Sequence, residues 1–392
     1  MLEGNMEKQM KKCRVGVFLL SAYILLTIFL ISNIVFFFVQ GNLIIHLSWK
    51  QWIFLFIFRI LSLLIGMVIV YFNSKQLTIL YKLSGILLGF IPILNIKILI
   101  RIIKIVYKEA IFELDKIKLN QSRAHLKICQ TKYPILLVHG VFFRDVHYYD
   151  YWGRIDDQLK INGANIYYGN QNSASSVKEN GRQLSERIKQ ICKDTGCEKV
   201  NIIAHSKGGL DARAAISFWD CEDNVATCTT ISTPHRGCEF ADYLLEKIPD
   251  DIEKGIAATY NATMKALGDT NPSFLDAVYD ITFENCEKFN EEALDSEKVV
   301  YYSVGTEMKG PSGGTFPLNF TSKIISRFDG PNDGLVGEKS FQWGDYYECI
   351  VPKGHRGISH GDIIDLTGEN IDGFDVREYY VQLVARLKNN GY

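Results

Sequence analysis

The 392-residue chain has almost no net charge and no cysteine pattern suited to a metal. Its 43 basic residues are balanced by 44 acidic ones, so the composition gives no indication of a nucleic-acid partner. None of its nine cysteines forms a CxxC pair with metal-ligand spacing, and an odd number without a disulfide framework is typical of a reducing compartment. The sequence also lacks internal repeats and low-complexity tracts. The hydrophobic pattern and a few local motifs are therefore the informative features.

Charge is missing altogether from one long segment near the start of the chain. Residues 15–39 form a run of 25 residues without a charged side chain, and four basic residues precede it. A helix of this length crosses a bilayer, and the run is too long for a signal peptide and lacks a small-residue cleavage site after it. Residues 52–72 form a second apolar run, interrupted by Arg59, which needs a partner or must reach the membrane surface. The sequence therefore predicts two transmembrane helices.

A third apolar stretch, residues 83–106, leaves two interpretations open. One is a third crossing of the membrane. The other is a basic amphipathic helix lying in the membrane interface, because four cations recur on one helical face of its second half. These cations are Lys97, Arg101, Lys104 and Lys108. Two crossings leave only Lys50 in the outer loop, and this charge distribution favours a multi-pass cell-membrane protein whose following domain lies in the cytoplasm.

The chain divides into a membrane region and a part of ordinary soluble composition. We assign residues 1–110 to the membrane region, the mixed and charged residues 111–132 to a linker, and residues 133–392 to one globular domain. In that domain strand-like runs alternate with helix-like ones, which predicts an α/β fold with a mostly parallel sheet flanked by helices. Residues 241–295 break the alternation and are helix-like. They form either ordinary surface helices or a helical cap over a hydrophobic substrate site.

The pentapeptide Ala-His-Ser-Lys-Gly at residues 204–208 follows a β-branched run and precedes a helix-like segment. A strand, a sharp turn and a helix in this order strain the serine backbone and lift the hydroxyl out of the sheet. They also place it at a helix N-terminus, which favours negative charge. The usual pattern is Gly-x-Ser-x-Gly, and Ala204 is still small enough for the first glycine position. Ser206 is therefore the candidate nucleophile.

A serine hydroxyl needs a base to remove its proton and an acid to orient that base. Asp333 lies in a turn after a strand-like run, and His360 lies in a loop after the next such run. The order serine, acid, histidine along the chain is that of α/β-hydrolases. Asp329 and His355 are the rival acid and base, whereas Asp345 is predicted to shape a turn.

Acyl transfer also needs hydrogen-bond donors for the developing oxyanion. The backbone N–H of Lys207, directly after the serine, is one candidate. The second is the N–H of Val141, in the loop after the first strand of the domain, where Gly140 permits a tight turn. The neighbouring His139 and His205 are predicted to be structural.

Motifs along residues 133–390 resemble those of bacterial triacylglycerol lipases. They occupy residues 133–140, 151–152, 163–167, 180–184, 199–209, 232–237, 289–290, 301–303, 332–336 and 360–362. The resemblance implies an α/β-hydrolase fold that acts on carboxylic esters, with Ser206, Asp333 and His360 as the catalytic triad.

Three departures from that family bear on function. Lys207 stands where such lipases more often have Gln, His or Met, and its long side chain is expected near the entrance of the acyl pocket. Many of these lipases hold calcium near the catalytic histidine; Asp362 matches one ligand position and Asp365 lies nearby, but no companion ligands can be placed. No cofactor is therefore required, and a structural calcium stays open. The family is also largely secreted, whereas this chain predicts a membrane anchor.

The sequence as a whole predicts a membrane-anchored serine hydrolase that cleaves carboxylic ester bonds of lipids through an acyl-enzyme on Ser206. Either the charge distribution is misleading about the side of the membrane on which the domain lies, or the substrate is a membrane lipid met from the inner face. One alternative is an acyltransferase or a phospholipase with the same triad, and another is an inactive hydrolase fold that serves as a membrane scaffold. No nucleic acid is expected as a partner.

Overall fold

The chain folds into two compact units, Met1–Arg123 and Ala124–Tyr392. The computed structural model describes residues 2–41, 45, 47–89, 94–141, 151–247, 249–266, 268–310, 313–314, 318–327 and 330–392. The first unit extends beyond residue 110, where the sequence placed the end of the membrane region.

The first unit consists of helices α1 (Leu2–Gln40), α2 (Trp49–Asn73), α3 (Ile79–Leu88) and α4 (Leu94–Arg123). Among the described residues, two segments, Glu3–Gln40 and Trp49–Asn73, are long and apolar enough to cross a bilayer, a criterion that signal sequences and buried core helices also meet. The Arg59 guanidinium carbon of α2 lies 5.2 Å from the centre of the Tyr23 ring of α1. This cation–π contact gives the Arg59 guanidinium an aromatic partner on α1.

Helices α1 and α2 approach each other closely at glycines. A Cβ atom at Gly16 of α1 would lie 2.7 Å from Val70 of α2, and one at Gly66 of α2 would lie 3.0 Å from Leu20 of α1. Residues early in α1 thus meet residues late in α2, and the two helices run antiparallel as a helical hairpin. Small residues at such contacts are common where apolar helices pack in lipid.

The third apolar stretch forms two helices, separated by residues 89–93, of which 90–93 lie outside the described part of the chain. The Asn95 side chain, near the start of α4, donates to the Tyr23 hydroxyl at 2.8 Å, and Asn120, near its end, donates to Glu3 at 3.0 Å. Helix α4 therefore runs antiparallel along α1, an arrangement that neither interpretation of the sequence anticipated.

Residues 111–123, predicted as part of a linker, are the C-terminal part of α4. Their mixed and charged character predicted a linker, but several polar side chains of this helix are buried inside the unit. The Glu109 carboxylate accepts a hydrogen bond from the Ser74 hydroxyl at 2.5 Å, and Asn120 bonds Glu3. The polar side chains of this segment form hydrogen bonds inside the first unit and do not mark a linker. The linker prediction is therefore wrong for residues 111–123.

The second unit is built on a parallel sheet. Its strands are β1 (Ile135–Val138), β2 (Ile166–Tyr168), β3 (Val200–His205), β4 (Val225–Ile231), β5 (Val300–Thr306) and β6 (Tyr346–Ile350). They are ordered β2-β1-β3-β4-β5-β6, with every neighbouring pair parallel. Each strand coincides with a strand-like run of the sequence, and the predicted α/β fold is confirmed.

Helices cover both faces of this sheet. Helices α5 (Ile155–Ile161) and α14 (Val376–Asn389) pack on one face, and α6 (Val177–Thr195) and α7 (Lys207–Phe218) pack on the other. Successive residues of β1 point to opposite faces, so Leu137 joins the core on the α14 side and Leu136 joins the core on the α6 side. Burial on both faces holds the carboxyl end of β3, where the candidate nucleophile lies, in a rigid frame.

Residues 241–295 are largely helical, as their pattern predicted. The Asp269 carboxylate accepts hydrogen bonds from the N–H and the hydroxyl of Ser173, at 2.9 and 2.7 Å, and so ties this segment to the loop before α6. A cap over the substrate stays a prediction for these helices. They are α8 (Glu239–Lys247), α9 (Asp250–Ala266), α10 (Phe274–Tyr279) and α11 (Phe283–Glu292), and they are followed by α12 (Leu318–Ile325) and α13 (Glu338–Phe341).

Candidate active site

Ser206 occupies a strained turn between β3 and α7. Its backbone has φ 56° and ψ −136°, a left-handed conformation that non-glycine residues rarely adopt. The Ser206 N–H donates to the Ile231 carbonyl at 2.9 Å, and the Thr233 hydroxyl donates to the Ser206 carbonyl at 2.8 Å. A Cβ at Gly209 would collide with the Thr233 side chain, which explains the glycine at that position. The turn is therefore fixed by the neighbouring strand β4.

A continuous hydrogen-bond chain joins Ser206 to His360 and Asp333. The Ser206 Oγ lies 2.9 Å from His360 Nε2, and His360 Nδ1 lies 2.7 Å from Asp333 Oδ2. The Asp333 Oδ1 accepts the N–H groups of Leu335 and Val336 at 3.0 and 2.9 Å. With the carboxylate accepting from Nδ1, the Nε2 atom is left free to take the hydroxyl proton. The structure thus brings together the three residues that the sequence selected.

The rival base takes no part in this chain. His355 is exposed on the loop that precedes His360. Asp345 accepts the Tyr301 N–H at 2.9 Å, in keeping with the structural role predicted for it. Asp329 lies outside the described residues.

The loop after β1 lies against the nucleophile. A Cβ at Gly140 would lie 2.7 Å from the Ser206 Cβ and 2.8 Å from the Tyr151 hydroxyl, so this position requires glycine. Val141 follows directly and is buried, and residues 142–150 lie outside the described part. The Lys207 N–H belongs to the first turn of α7, where backbone donors have no intrahelical acceptor. Both predicted oxyanion donors therefore belong to backbone segments that adjoin Ser206.

A buried network that the sequence did not predict supports this arrangement. The Gly140 N–H donates to the Tyr151 hydroxyl at 2.8 Å, and that hydroxyl lies 2.6 Å from His205 Nδ1. The His205 Nε2 lies 3.1 Å from the His360 carbonyl oxygen. Burial, followed by the neighbouring His360, holds the pKa of His205 well below its usual range, so its ring is neutral. A neutral ring accepts from Tyr151 and donates to His360, linking the β1 loop to the histidine loop.

Lys207 is not at the entrance of a pocket, and that expectation is wrong. Its ammonium nitrogen lies 2.6 Å from Asp211 Oδ1, one helical turn further along α7, and both side chains are only 2% exposed. The other oxygen of Asp211 accepts from the Asn180 side chain of α6 at 3.0 Å. Burial raises the pKa of Asp211, and the Lys207 charge opposes that rise. The Lys207 side chain thus serves the packing of α6 against α7.

The two carboxylates considered for calcium already hold other partners. Asp365 accepts Arg154 Nε and Nη2, each at 2.7 Å, and Asp362 accepts the Ser359 N–H at 3.0 Å and faces Arg356 at 3.2 Å. Calcium needs six to eight oxygen ligands, whereas these oxygens face guanidinium groups. Among the described residues, no group of three or more His, Cys, Asp or Glu side chains is arranged to hold a metal. Asp362 and Asp365 do not fit a calcium site.

The sequence matches known hydrolases over most of the second unit. A family model described as palmitoyl protein thioesterase matches residues 134–278. A triacylglycerol lipase of Vibrio cholerae is 31% identical over 291 residues, which cover 67% of this chain and 89% of that lipase. The chain belongs to the triacylglycerol lipase family.

Other relatives match over a shorter segment or through the fold. The triacylglycerol lipase of Pseudarthrobacter phenanthrenivorans is 40% identical over 134 residues, which cover 33% of this chain and 41% of that lipase. The chain thus spans less than half the length of that relative. The crystal structure of the Staphylococcus hyicus lipase has a TM-score of 0.51 at 19% identity and covers 67% of this chain and 98% of its own. This likeness shows a shared α/β-hydrolase fold.

Proposed function

We propose that this protein is a membrane-anchored serine hydrolase that cleaves carboxylic ester bonds of lipids. The observation that carries the proposal is the hydrogen-bond chain from Ser206 through His360 to Asp333, set at the carboxyl ends of parallel strands. Ligand and active sites of open parallel sheets lie at those ends. Membership of the triacylglycerol lipase family supports an ester as the substrate class.

In the first half of the reaction, His360 Nε2 takes the hydroxyl proton as Ser206 Oγ attacks the ester carbonyl. Asp333 orients the ring and stabilises the imidazolium that forms. The N–H groups of Val141 and Lys207 hold the negative oxygen of the tetrahedral intermediate. The imidazolium then protonates the departing alcohol, which leaves an acyl group on Ser206.

In the second half, a water molecule loses a proton to His360 and attacks the acyl carbonyl. Collapse of the second intermediate returns that proton to Ser206 and releases the carboxylic acid. A carboxylic acid and an alcohol are formed from one ester and one water. No step needs a metal or a cofactor.

The anchoring part of the proposal rests on the first unit. Helices α1 and α2 carry large apolar side chains that are fully open to their surroundings, such as Phe38 at 80% and Phe72 at 84% exposure. Exposed apolar surface on this scale supports contact of these helices with lipid. Basic residues cluster around the N-terminal end of α1, which favours a cytoplasmic location for that end and for the catalytic unit.

A thioester is the second candidate substrate, because the family model that matches residues 134–278 is that of palmitoyl protein thioesterases. The same triad would attack a thioester carbonyl, with a thiol as the leaving group. A phospholipase or an acyltransferase would also use this triad, and an alcohol would replace water as the acceptor in the transferase.

A fluorophosphonate probe tests the nucleophile. The full-length protein in detergent should be labelled, and labelling should be absent in Ser206→Ala. Ser326→Ala, which removes an exposed hydroxyl at the end of α12, is the matched control and should be labelled like the wild type. Labelling that persists in Ser206→Ala would overturn the proposal. Release of fatty acid from an ester, a phospholipid and an S-acyl thioester, with and without an added alcohol, then identifies the substrate class.

A further inference from the structure

In the N-terminal unit, helices α3 and α4 form a pair that begins beside the C-terminal end of α2 and ends beside the N-terminal end of α1. Helix α3 follows α2 and packs back against it, because the Tyr71 hydroxyl donates to the Lys82 carbonyl and the Lys82 amine donates to the Tyr71 carbonyl, both at 2.8 Å. A Cβ at Gly85 of α3 would lie 2.7 Å from Met67 of α2 and 3.1 Å from Ile102 of α4. Helix α3 therefore lies beside both α2 and α4.

Helix α4 then runs toward the N-terminal end of α1. Its first turn contacts Tyr23 and its last turn contacts Glu3. The pair α3–α4 thus enters beside the last turns of α2 and leaves beside the first turns of α1. In a chain whose α1 and α2 cross a bilayer, such a pair penetrates from one side only.

The depth of this penetration follows from the helical rise. Tyr23 lies eight residues, or about 12 Å, inside the charge-free run that begins at Val15. Asn95 is level with Tyr23, so Lys97 lies about 9 Å inside that run. Along α4, Arg101 lies about 3 Å inside the run, and Lys104 lies level with its beginning. The three cations therefore extend from the beginning of the charge-free run, where acyl chains meet headgroups, to about 9 Å inside it.

These three side chains form one exposed surface, which we call the basic face: Lys97, Arg101 and Lys104. All three are exposed, and none has an ion-pair partner among the residues that the structure describes. The acidic residues Glu109 and Glu113 of the same helix are buried on its other side. Burying cations at this depth is costly unless they reach anionic groups, and lysine and arginine stems can extend toward the surface to do so.

We propose that the basic face of α4 binds the anionic headgroups of phospholipids in the leaflet that the α3–α4 pair penetrates. The proposal rests on the membrane anchoring proposed above. An anionic phospholipid is the occupant because it brings negative charge to this depth, where a water-soluble acidic partner does not reach. Each cation near an anionic surface contributes to such binding, and the contribution falls with salt.

Binding of a phospholipid to the purified full-length protein in nonionic detergent tests the proposal. All variants carry Ser206→Ala, so the lipid is not hydrolysed. Fluorescent phosphatidylglycerol should bind more tightly than phosphatidylcholine with the same acyl chains. In Lys97→Gln/Arg101→Gln/Lys104→Gln its affinity should fall roughly tenfold to a hundredfold. Phosphatidylcholine binding should be the same as in the parent.

Two control proteins make the result specific to the basic face. Lys193→Gln/Lys265→Gln/Lys323→Gln removes three exposed cations of the second unit and should bind phosphatidylglycerol like the parent. Lys97→Arg/Arg101→Lys/Lys104→Arg keeps the charge and should retain the affinity. Equal binding of the two lipids, or an unchanged preference in the glutamine variant, would overturn the proposal. Two other measurements test the proposals on which this one rests. Release of the wild-type protein from membranes by alkaline carbonate would show that it is not anchored. Absence of fluorophosphonate labelling would show that the hydrolase assignment fails.

Discussion

The two units of this chain differ in the apolar side chains that they leave exposed. Among the residues that the structure describes, the helical unit has most of the exposed large apolar side chains although it is less than a third of the chain, whereas both units bury polar residues, such as Glu109 and Glu113 in the first and Asp333 in the second. The α/β unit has strands that are buried on both faces and a largely polar surface. The difference supports the proposed placement of the first unit in lipid.

The buried charges of the two units also serve different ends. In the helical unit, the Glu109 carboxylate accepts hydrogen bonds from the Ser74 hydroxyl and the Lys75 N–H, and so holds the turn that follows α2. In the α/β unit, Asp333 and His360 form a chain that ends on a nucleophile. The comparison can be tested by removing one group at a time and asking whether chemistry, stability or insertion changes.

The largest effect is expected where a buried group acts in the reaction. His360→Gln removes the base, and turnover of a water-soluble ester should fall by about 10⁴-fold or more, because the serine hydroxyl is then not deprotonated. Initial rates of ester hydrolysis in detergent measure this loss. His355→Gln changes the exposed histidine of the same loop and should keep wild-type rates. A loss of less than tenfold in His360→Gln would contradict the role assigned to this residue.

A buried charge that takes no part in the chemistry should affect stability instead. Lys207→Met leaves the Asp211 carboxylate buried without its cation, which should destabilise the α/β unit by about 3–5 kcal/mol. Lys207→Met/Asp211→Leu removes both charges and should restore most of that loss. Unfolding of the full chain, followed by near-UV circular dichroism, measures both variants. Lys193→Met, which changes an exposed lysine, is the control and should leave the stability unchanged. If Lys207→Met is as stable as Lys193→Met, the prediction is wrong.

The proposed contact of the first unit with lipid is tested by placing one charge on the outside of each unit. Ile28 of α1 is 49% exposed and Ile252 of α9 is 57% exposed. Ile28→Asp should disfavour insertion by about 3 kcal/mol, whereas Ile252→Asp should change stability by less than about 0.5 kcal/mol. The fraction of protein that resists alkaline carbonate measures the first effect, and thermal unfolding measures the second. If Ile28→Asp is retained in membranes like the wild type, the helical unit is not lipid-facing at that position.

The sequence alone located those residues of the site that can be recognised from the secondary-structure elements next to them in the chain. Ser206 could be found because a strand, a tight turn and a helix follow one another within a few residues. Asp333 and His360 could be selected because each lies in a loop after a strand and in the order that the fold requires. These signals are short in range, and the structure brings the three residues into hydrogen-bond contact.

Contacts that depend on tertiary packing could not be predicted. Tyr151 and His205 are 54 residues apart in the chain, and only the fold brings the Tyr151 hydroxyl within hydrogen-bond distance of the His205 ring. The spacing of Lys207 and Asp211 was visible as a one-turn pair, but their burial under α6 was not. The same limit applies to α4. The hydrogen bonds that its charged residues form inside the unit could not be predicted from the sequence, so their charge suggested a linker.

The smallest expected effect concerns neutral groups buried in the α/β unit. Burial is the main cause that holds the pKa values of His205 and His235 well below their usual range. Below about pH 6.5 the unfolded chain binds protons at these imidazoles and the folded chain does not. The free energy of unfolding should therefore be unaffected by these two histidines above that pH. Below it, the free energy of unfolding should fall by about 1.4 kcal/mol per pH unit for each histidine. Denaturant unfolding between pH 5 and 7 measures the slope, which should decrease by about one proton in His205→Asn and stay unchanged in the exposed His355→Asn.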